Sequence, residues 1–189
     1  MKLVILDRDG VINEDSPDYI KSPDEWRAIP GSLDAIARLK QAGYTVCVAT
    51  NQSGIARGLF DYDALSAIHD RMQAALAEIG ARVDAVEFAP DHPDNPTPLR
   101  KPAPGMLLDI AARLQTSLEG VPVVGDSLRD IEAARAAGAR PILVLTGNGR
   151  RNQARPEMAD VETFDDLAGF VAALLDGDPS SAHPAYAAH

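Results

Sequence analysis

Four aspartates of this 189-residue chain stand where carboxylates can act together. Asp7 and Asp9 directly follow one apolar run, and Asp126 and Asp130 follow another with a spacing of one helical turn. Carboxylates held close together repel one another and resist ionising jointly. A divalent cation removes that conflict, and Mg²⁺ takes one or two carboxylates while also binding substrate phosphate. The spacing therefore predicts a Mg²⁺ site with a carboxylate free to act as a nucleophile.

Groups that suit phosphate oxygens complete the set. The residues that end or follow a further apolar run carry hydroxyl and amide groups: Thr50, Asn51, Gln52 and Ser53. Lys101 supplies a positive charge at the end of a proline-rich stretch. Each residue alone has an ordinary explanation, since a strand-end aspartate often caps a helix and a lysine is mostly a solvated charge. The specific signal is their order along the chain.

Short apolar runs alternate with helical patterns. The runs predict buried strands at 3–6, 46–49, 83–88, 121–124 and 142–145. The patterns predict helices at 33–42, 61–79, 106–114, 128–137 and 164–175. This alternation indicates an α/β fold with a doubly wound, Rossmann-like parallel sheet, which binds ligands beyond the carboxyl ends of its strands.

The remaining segments suggest one domain at 1–176 and a flexible tail at 177–189, which is rich in Ala, Pro, Ser and His. Residues 11–31 lack a regular pattern; they are too few for a cap domain but enough for a flap over the site. Residues 89–104 contain six prolines, which predicts a stiff, extended surface loop.

Composition excludes several classes of partner. The net charge is −10 and the pI about 4.7, which argues against binding to nucleic acid or an anionic membrane. Cys47 is the single cysteine, so no intrachain disulfide can form and a reducing, cytoplasmic location is expected. No apolar run reaches the roughly 18 residues of a membrane helix. We therefore expect a small-molecule partner, and for a domain of this size a monomer.

The ordered motifs resemble those of the haloacid dehalogenase-like phosphohydrolase superfamily. They are DRDGVIN from Asp7, TNQSGIARG from Thr50, RKP from Arg100 and GDSLRD from Gly125. The longer forms resemble the branch that holds D-glycero-D-manno-heptose-1,7-bisphosphate 7-phosphatases and histidinol-phosphate phosphatases, and the second motif favours the heptose enzymes. The resemblance covers roughly residues 1 to 150 and implies a minimal cap.

The resemblance also implies roles for the motif residues. Asp7 would be the nucleophile that becomes an aspartyl-phosphate, and Asp9 the general acid and then base. Mg²⁺ would be held by the Asp7 carboxylate, the Asp9 backbone carbonyl and Asp126, with a further contact from Ser127. Asp130 would lie behind them, orienting Lys101 or a metal-bound water. The groups that stabilise the transferring phosphoryl would be Thr50, Arg100 and Lys101.

Substrate recognition is expected from the flap and from the segment after the second strand. The residues expected to contact the sugar or its second phosphate are Asp15, Asp18, Asn51, Gln52, Ser53, Arg100 and Lys101. A solvated loop is an equally good account of Asp15 and Asp18. The guanidinium fork of Arg100 matches the oxygens of a second phosphate. The implied reaction is removal of the 7-phosphate from heptose 1,7-bisphosphate, in the pathway that supplies lipopolysaccharide core precursors.

The chain departs from this branch at a structural zinc site, which usually takes three cysteines and one histidine before the RKP motif. The corresponding positions hold Ala89, Asp91, Thr97 and Leu99. His92 remains, but one imidazole cannot build a tetrahedral site. We therefore expect no zinc, with prolines restricting the unfolded loop instead.

Three other functions stay open at this point. A histidinol-phosphate phosphatase would share the mechanism and differ in its flap and Arg100 contacts. A phospho-accepting receiver domain is also α/β and binds Mg²⁺ with clustered aspartates, but its phosphorylated aspartate follows the third strand. Here that strand is followed by a proline-rich loop. A binding module without catalysis is disfavoured because no motif residue is missing.

Overall fold

The computed structural model describes residues 1–177, which form a single α/β domain around one six-stranded parallel sheet. The strands are β1 (Leu3–Leu6), β2 (Thr45–Asn51), β3 (Ala85–Ala89), β4 (Pro122–Gly125), β5 (Arg140–Val144) and β6 (Glu162–Phe164). The helices are α1 (Ser32–Gln41), α2 (Tyr62–Ala77), α3 (Gly105–Leu114), α4 (Leu128–Ala136), α5 (Gly149–Gln153) and α6 (Leu167–Asp176). The predicted flexible tail, beyond Gly177, lies outside the described residues.

The sheet order is β3-β2-β1-β4-β5-β6. The order reverses between β1 and β4, which is the position where doubly wound sheets open a binding crevice. A receiver domain has the order 2-1-3-4-5, so the topology excludes that alternative. The predicted α/β fold class is confirmed.

Helices cover both faces of the sheet. Val4 and Leu6 of β1 pack with α1, α2 and α6 on one face, whereas Leu3 and Ile5 pack with α3 and α4 on the other. Burial on both faces explains why β1 is apolar throughout instead of alternating. A rigid β1 thus carries the residues that follow it into the crevice.

Residues 11–31 form a small, anchored flap. Asn13 bridges Asp9 on one side and Ala28 on the other, and the Ile29 backbone N–H donates to Ile12 at 2.9 Å. Trp26, which belongs to the same segment, is buried in the hydrophobic core. The expectation of a minimal cap agrees with this segment, whose only helical element is one short turn at Pro23–Glu25.

The predicted helix at 164–175 was wrong at its start. Phe164 ends β6, and α6 begins at Leu167 because the Asp166 carboxylate caps it, accepting from the Gly169 backbone N–H at 2.8 Å. Neither β6 nor α5 was predicted. Among residues 1–177, no helix combines the length and apolar character needed to cross a bilayer.

Candidate active site

The loop after β1 brings the first two aspartates to the carboxyl edge of the sheet. The Asp7 backbone N–H still bonds the Val124 carbonyl of β4 at 2.8 Å, so Asp7 is fixed at the reversal of strand order. Gly10 then turns the chain with φ +80°. A Cβ at Gly10 would lie 2.1 Å from Asp126 Oδ2, so only glycine lets Asp126 approach the loop.

A cavity of about 310 Å³ opens at this edge and collects almost all of the sequence-predicted residues. Those in its lining are Asp7, Asp9, Asp15, Thr50, Asn51, Gln52, Ser53, Arg100, Lys101, Asp126, Ser127 and Asp130. Asp18 is exposed and is not part of the lining. Lining residues that sequence reasoning did not assign to the site include Tyr19, Arg57, Arg129 and Asn148.

Asp7, Asp126 and Asp130 each place a carboxylate oxygen within 4.8 Å of the others. Burial and the charge of Asp130 raise the pKa of Asp126 to about 7, and the same two causes hold the pKa of Asp7 well above its usual range. The raised pKa values indicate that too little positive charge lies near these carboxylates for all of them to ionise together. The donor set therefore fits a hard divalent cation such as Mg²⁺.

Lys101 is almost fully buried and is held by three oxygens. Its ammonium donates to Asp130 Oδ1 at 2.6 Å and to the Ala49 carbonyl at 2.7 Å, and it lies 3.1 Å from Asp7 Oδ1. Burial opposes its charge, but Asp130 and Asp7 outweigh that effect and raise the pKa of Lys101. Lys101 is thus a permanent cation beside Asp7.

Asn51 fixes the backbone of Lys101. Its side-chain amide accepts from the Lys101 N–H and donates to the Lys101 carbonyl, both at 3.0 Å. The sequence assigned Asn51 to substrate, and the structure shows its amide bonded to the protein. Its sugar-binding role stays a prediction.

Asp130 uses both of its carboxylate oxygens in bonds to the protein. Its Oδ1 bonds Lys101, and its Oδ2 accepts from the Ser127 backbone and hydroxyl at 3.0 and 2.6 Å, which caps α4. Although burial opposes ionisation, Lys101 and Ser127 hold the pKa of Asp130 below its ordinary value. Since both oxygens of Asp130 are used, Asp7 and Asp126 are the carboxylates best placed to bind a cation.

Asp9 is surrounded by side-chain donors. Arg8 donates to it through Nε and Nη2 at 2.9 to 3.1 Å, while Asn13 and Gln52 each donate an amide N–H at 2.9 Å. Gln52 also donates to the Thr50 hydroxyl at 3.0 Å. Burial opposes the charge of Asp9, but Arg8 and these hydrogen bonds hold its pKa below the usual range. The described state of Asp9 is a carboxylate that can accept a proton.

Arg8 was not predicted to matter, because it occupies the variable position of the motif. It is entirely buried, and its Nη1 contacts His69 Nε2 of α2 at 3.2 Å. Burial and the adjacent guanidinium lower the pKa of His69 to about 4, so the neutral ring can accept from Arg8. A charged residue at the end of a buried strand was the available sequence signal.

Three arginines, Arg57, Arg100 and Arg129, line the cavity together. Arg100 is nearly buried, and burial together with the charge of Arg129 lowers its pKa. Its Nη1 lies 3.3 Å from the Asp91 carbonyl. Among the described residues, the guanidinium groups of Arg57 and Arg129 have no hydrogen-bonded or ion-paired partner. None of the three guanidinium groups forms an ion pair with a described carboxylate, so this group of like charges suits an anion.

The proline-rich loop is closed by hydrogen bonds at the positions compared above with zinc ligands. The Asp91 carboxylate accepts from the Thr97 backbone at 2.8 Å and from its hydroxyl at 2.5 Å, and the Thr97 hydroxyl accepts from the Leu99 N–H at 3.2 Å. His92 Nδ1 accepts from the Asp94 N–H at 3.2 Å. The absence of zinc stays a prediction.

Comparison with known proteins places the chain in a family. The HAD-hydrolase-like family model matches residues 98–170. D-glycero-beta-D-manno-heptose-1,7-bisphosphate 7-phosphatases from Bordetella bronchiseptica and Pseudomonas aeruginosa are 57% and 53% identical, over 93% and 92% of this chain and 98% and 97% of their own lengths. The crystal structure of D,D-heptose 1,7-bisphosphate phosphatase from B. bronchiseptica, complexed with magnesium and phosphate, is 56% identical, with a TM-score of 0.92 over 94% of this chain and 100% of that one.

The doubly wound sheet, with a carboxylate pair and a buried lysine at its strand reversal, defines a haloacid dehalogenase-like hydrolase. Full-length similarity then fixes the position within that class. The chain belongs to the D-glycero-D-manno-heptose-1,7-bisphosphate 7-phosphatase family.

Proposed function

We propose that this protein is a Mg²⁺-dependent phosphomonoesterase that removes the 7-phosphate of D-glycero-D-manno-heptose 1,7-bisphosphate. The observation that carries the proposal is the half-buried Asp7 carboxylate, set 3.1 Å from the Lys101 ammonium in a cavity shared with Asp126. The relatives that match over more than nine tenths of the chain carry that activity in their names.

Asp7 acts as the nucleophile. Its Oδ1 accepts from the Arg8 backbone N–H at 2.8 Å and faces Lys101, whereas Oδ2 accepts no hydrogen bond from the described residues. Asp7 attacks phosphorus, the bond from phosphorus to the sugar oxygen breaks, and an aspartyl-phosphate forms. The leaving alkoxide takes a proton from Asp9, which has to enter this first step in its protonated form.

The second step regenerates the enzyme. A water attacks the aspartyl-phosphate, Asp9 accepts the proton of that water, and inorganic phosphate leaves. The donors around Asp9 favour its carboxylate form, which is the form this step needs. Lys101 and Thr50 stabilise the charge on the transferring phosphoryl group.

Mg²⁺ is held by the carboxylates of Asp7 and Asp126 and by the Asp9 backbone carbonyl, with Ser127 adjacent. When bound, it neutralises negative charge on the phosphoryl oxygens. The geometry of this chain supports that assignment because both carboxylates keep an oxygen that accepts no hydrogen bond from the described residues.

The flap and the arginines select the substrate. Asp15 and Ser53 line the cavity where sugar hydroxyls would lie, and Arg100 takes the second phosphate. Asp18 serves the sugar only if the flap changes conformation, since it lies outside the lining. The protein acts as a monomer in this proposal, because every assigned group comes from one chain, within residues 1–176. The single cysteine, Cys47, supports a reducing, cytoplasmic location.

A phosphatase panel with Mg²⁺ tests the proposal. Wild type, Asp7→Asn and the exposed control Asp109→Asn are assayed on both anomers of heptose 1,7-bisphosphate, histidinol phosphate and simple hexose phosphates. Loss of the nucleophile is expected to lower kcat by about 10³-fold or more, with the control unchanged. Wild-type turnover by Asp7→Asn would refute the nucleophile. A flat substrate profile, or preference for histidinol phosphate, would refute the heptose assignment alone.

A further inference from the structure

The loop after β5 covers the metal-binding side of the cavity. The Thr146 hydroxyl donates to the Gly10 carbonyl at 2.7 Å, which ties this loop to the turn after the nucleophile. Asn148 follows and lines the cavity. The sequence analysis considered the residues that follow three other strands and did not consider Asn148. The same rule, that ligands bind beyond the carboxyl ends of the strands, applies to β5.

Asn148 holds one oxygen of Asp126 with two donors. Its backbone N–H lies 2.8 Å and its side-chain Nδ2 3.2 Å from Asp126 Oδ2. Gly147 makes this approach possible, because a Cβ there would lie 2.2 Å from the same oxygen. Asp126 Oδ1 accepts no hydrogen bond from the described residues, so the contacts leave that oxygen open.

The same amide reaches the flap. Asn148 Nδ2 also donates to Asp15 Oδ2 at 2.8 Å, while Arg151 Nη2 donates to Asn148 Oδ1 at 3.0 Å. An amide whose oxygen is bound by a guanidinium must turn its N–H groups the other way. Arg151 thus orients Asn148 so that its two N–H groups serve Asp126 and Asp15.

We propose that Asn148 is a positioning residue that fixes Asp126 in its metal-binding orientation and links the flap to it through Asp15. The inference rests on the proposed function only in taking Asp126 as a Mg²⁺ ligand. Removing a partner that orients a metal ligand typically weakens metal affinity by about 10- to 100-fold. Because the backbone donor remains in Asn148→Ala, we expect the lower end, about tenfold.

Mg²⁺ binding to the substrate-free protein, measured by isothermal titration calorimetry, provides the test. Asn148→Ala should raise the Kd for Mg²⁺ about tenfold, and Arg151→Ala, which frees the amide to rotate, should raise it less. The matched control is the exposed neighbour Arg150→Ala, with an expected Kd equal to wild type. At saturating Mg²⁺, kcat of Asn148→Ala should return to within about twofold of wild type, because the bound cation then holds Asp126 in place. The lost bond to Asp15 should persist as a raised KM for the sugar phosphate.

An unchanged Kd for Mg²⁺ in folded Asn148→Ala would overturn the inference. A lowered kcat that added Mg²⁺ does not restore would also overturn it, because that result indicates damage beyond the metal ligand. Thermal unfolding establishes that each variant is folded. If Asn148→Ala does not fold, the Kd of Arg151→Ala for Mg²⁺ provides the test instead. If the wild-type protein binds no Mg²⁺, the proposed Mg²⁺-dependent function is refuted, and the inference about Asn148 is refuted with it.

Discussion

Arg8 offers a direct test of how the structure holds Asp9. Arg8→Lys keeps the positive charge at a fully buried position but removes the planar fork. In the native protein that fork reaches Asp9 through two nitrogens and His69 through a third. A lysine ammonium is a single point and can replace only one of these.

The expected loss of stability follows from the lost contacts. One charge-assisted hydrogen bond to Asp9 disappears, at a cost of about 1.5–3 kcal/mol. Because the contact with His69 is lost as well, we expect the upper part of this range, about 2–3 kcal/mol, for Arg8→Lys. Arg8→Met leaves Asp9 with no cationic partner and should cost about 3–5 kcal/mol. For a chain of this length, the Arg8→Lys loss corresponds to about 4–12 °C in Tm.

Urea unfolding and calorimetry measure these values, with the exposed Arg38→Lys as a control that should stay within about 0.5 kcal/mol of wild type. Activity gives a second reading. In the proposed mechanism Asp9 protonates the leaving group. The kcat/KM for the sugar phosphate should therefore fall about 10- to 100-fold more than for 4-nitrophenyl phosphate, whose leaving group needs little help. Wild-type stability for Arg8→Lys, or equal losses on both substrates, would refute the positioning of Asp9 by Arg8.

Three further predictions concern other parts of the molecule. Asp84 binds the Lys40 ammonium at 2.5 Å and the Val46 N–H at 2.8 Å, and although burial opposes its charge these bonds lower its pKa. The stabilisation by Asp84 is therefore present above the unfolded-state pKa of about 3.9 and is lost as the pH falls through the pKa of the folded state. The free energy of unfolding in urea should therefore differ between Asp84→Asn and wild type at pH 7, and the two values should converge near pH 2. Arg57→Ala and Arg129→Ala should raise KM about tenfold for a bisphosphate and little for a monophosphate. Added salt should produce the same selective rise in KM, because it screens exposed charges. Equal effects on both substrates would contradict a second phosphate site. Elemental analysis of the purified protein should find no stoichiometric zinc.

The sequence predicts the central strands well because a parallel sheet covered on both faces needs continuous apolar runs. The same reasoning missed β6, a strand of three residues at the edge of the sheet. None of these residues is fully buried. This short strand (Glu162–Phe164) has no apolar run to find, and Phe164 was therefore assigned to the following helix. What fixes the true start of α6 is one hydrogen bond from Gly169 to Asp166.

The predicted site residues come together because strand ends in a parallel sheet share one edge. The sequence could not say which of these side chains would bond to one another. Gln52 reads as a ligand for a sugar hydroxyl, but the folded chain aims its amide at Asp9 and Thr50. Residue type gives the available chemistry, whereas the direction of a side chain depends on neighbours from distant segments.

The arrangement of charge explains how a chain with a net charge of −10 can bind a bisphosphate. Lys101 is already paired with Asp130 and Asp7, so it cannot also neutralise Asp126, and a divalent cation is needed there. Arg57 and Arg129 lie in the same cavity without a carboxylate partner among the described residues. In the proposed complex the reacting phosphate meets the cation and Lys101, while the second phosphate meets guanidinium groups. Local charge in the cavity, and not the net charge, determines the sign of the ligand.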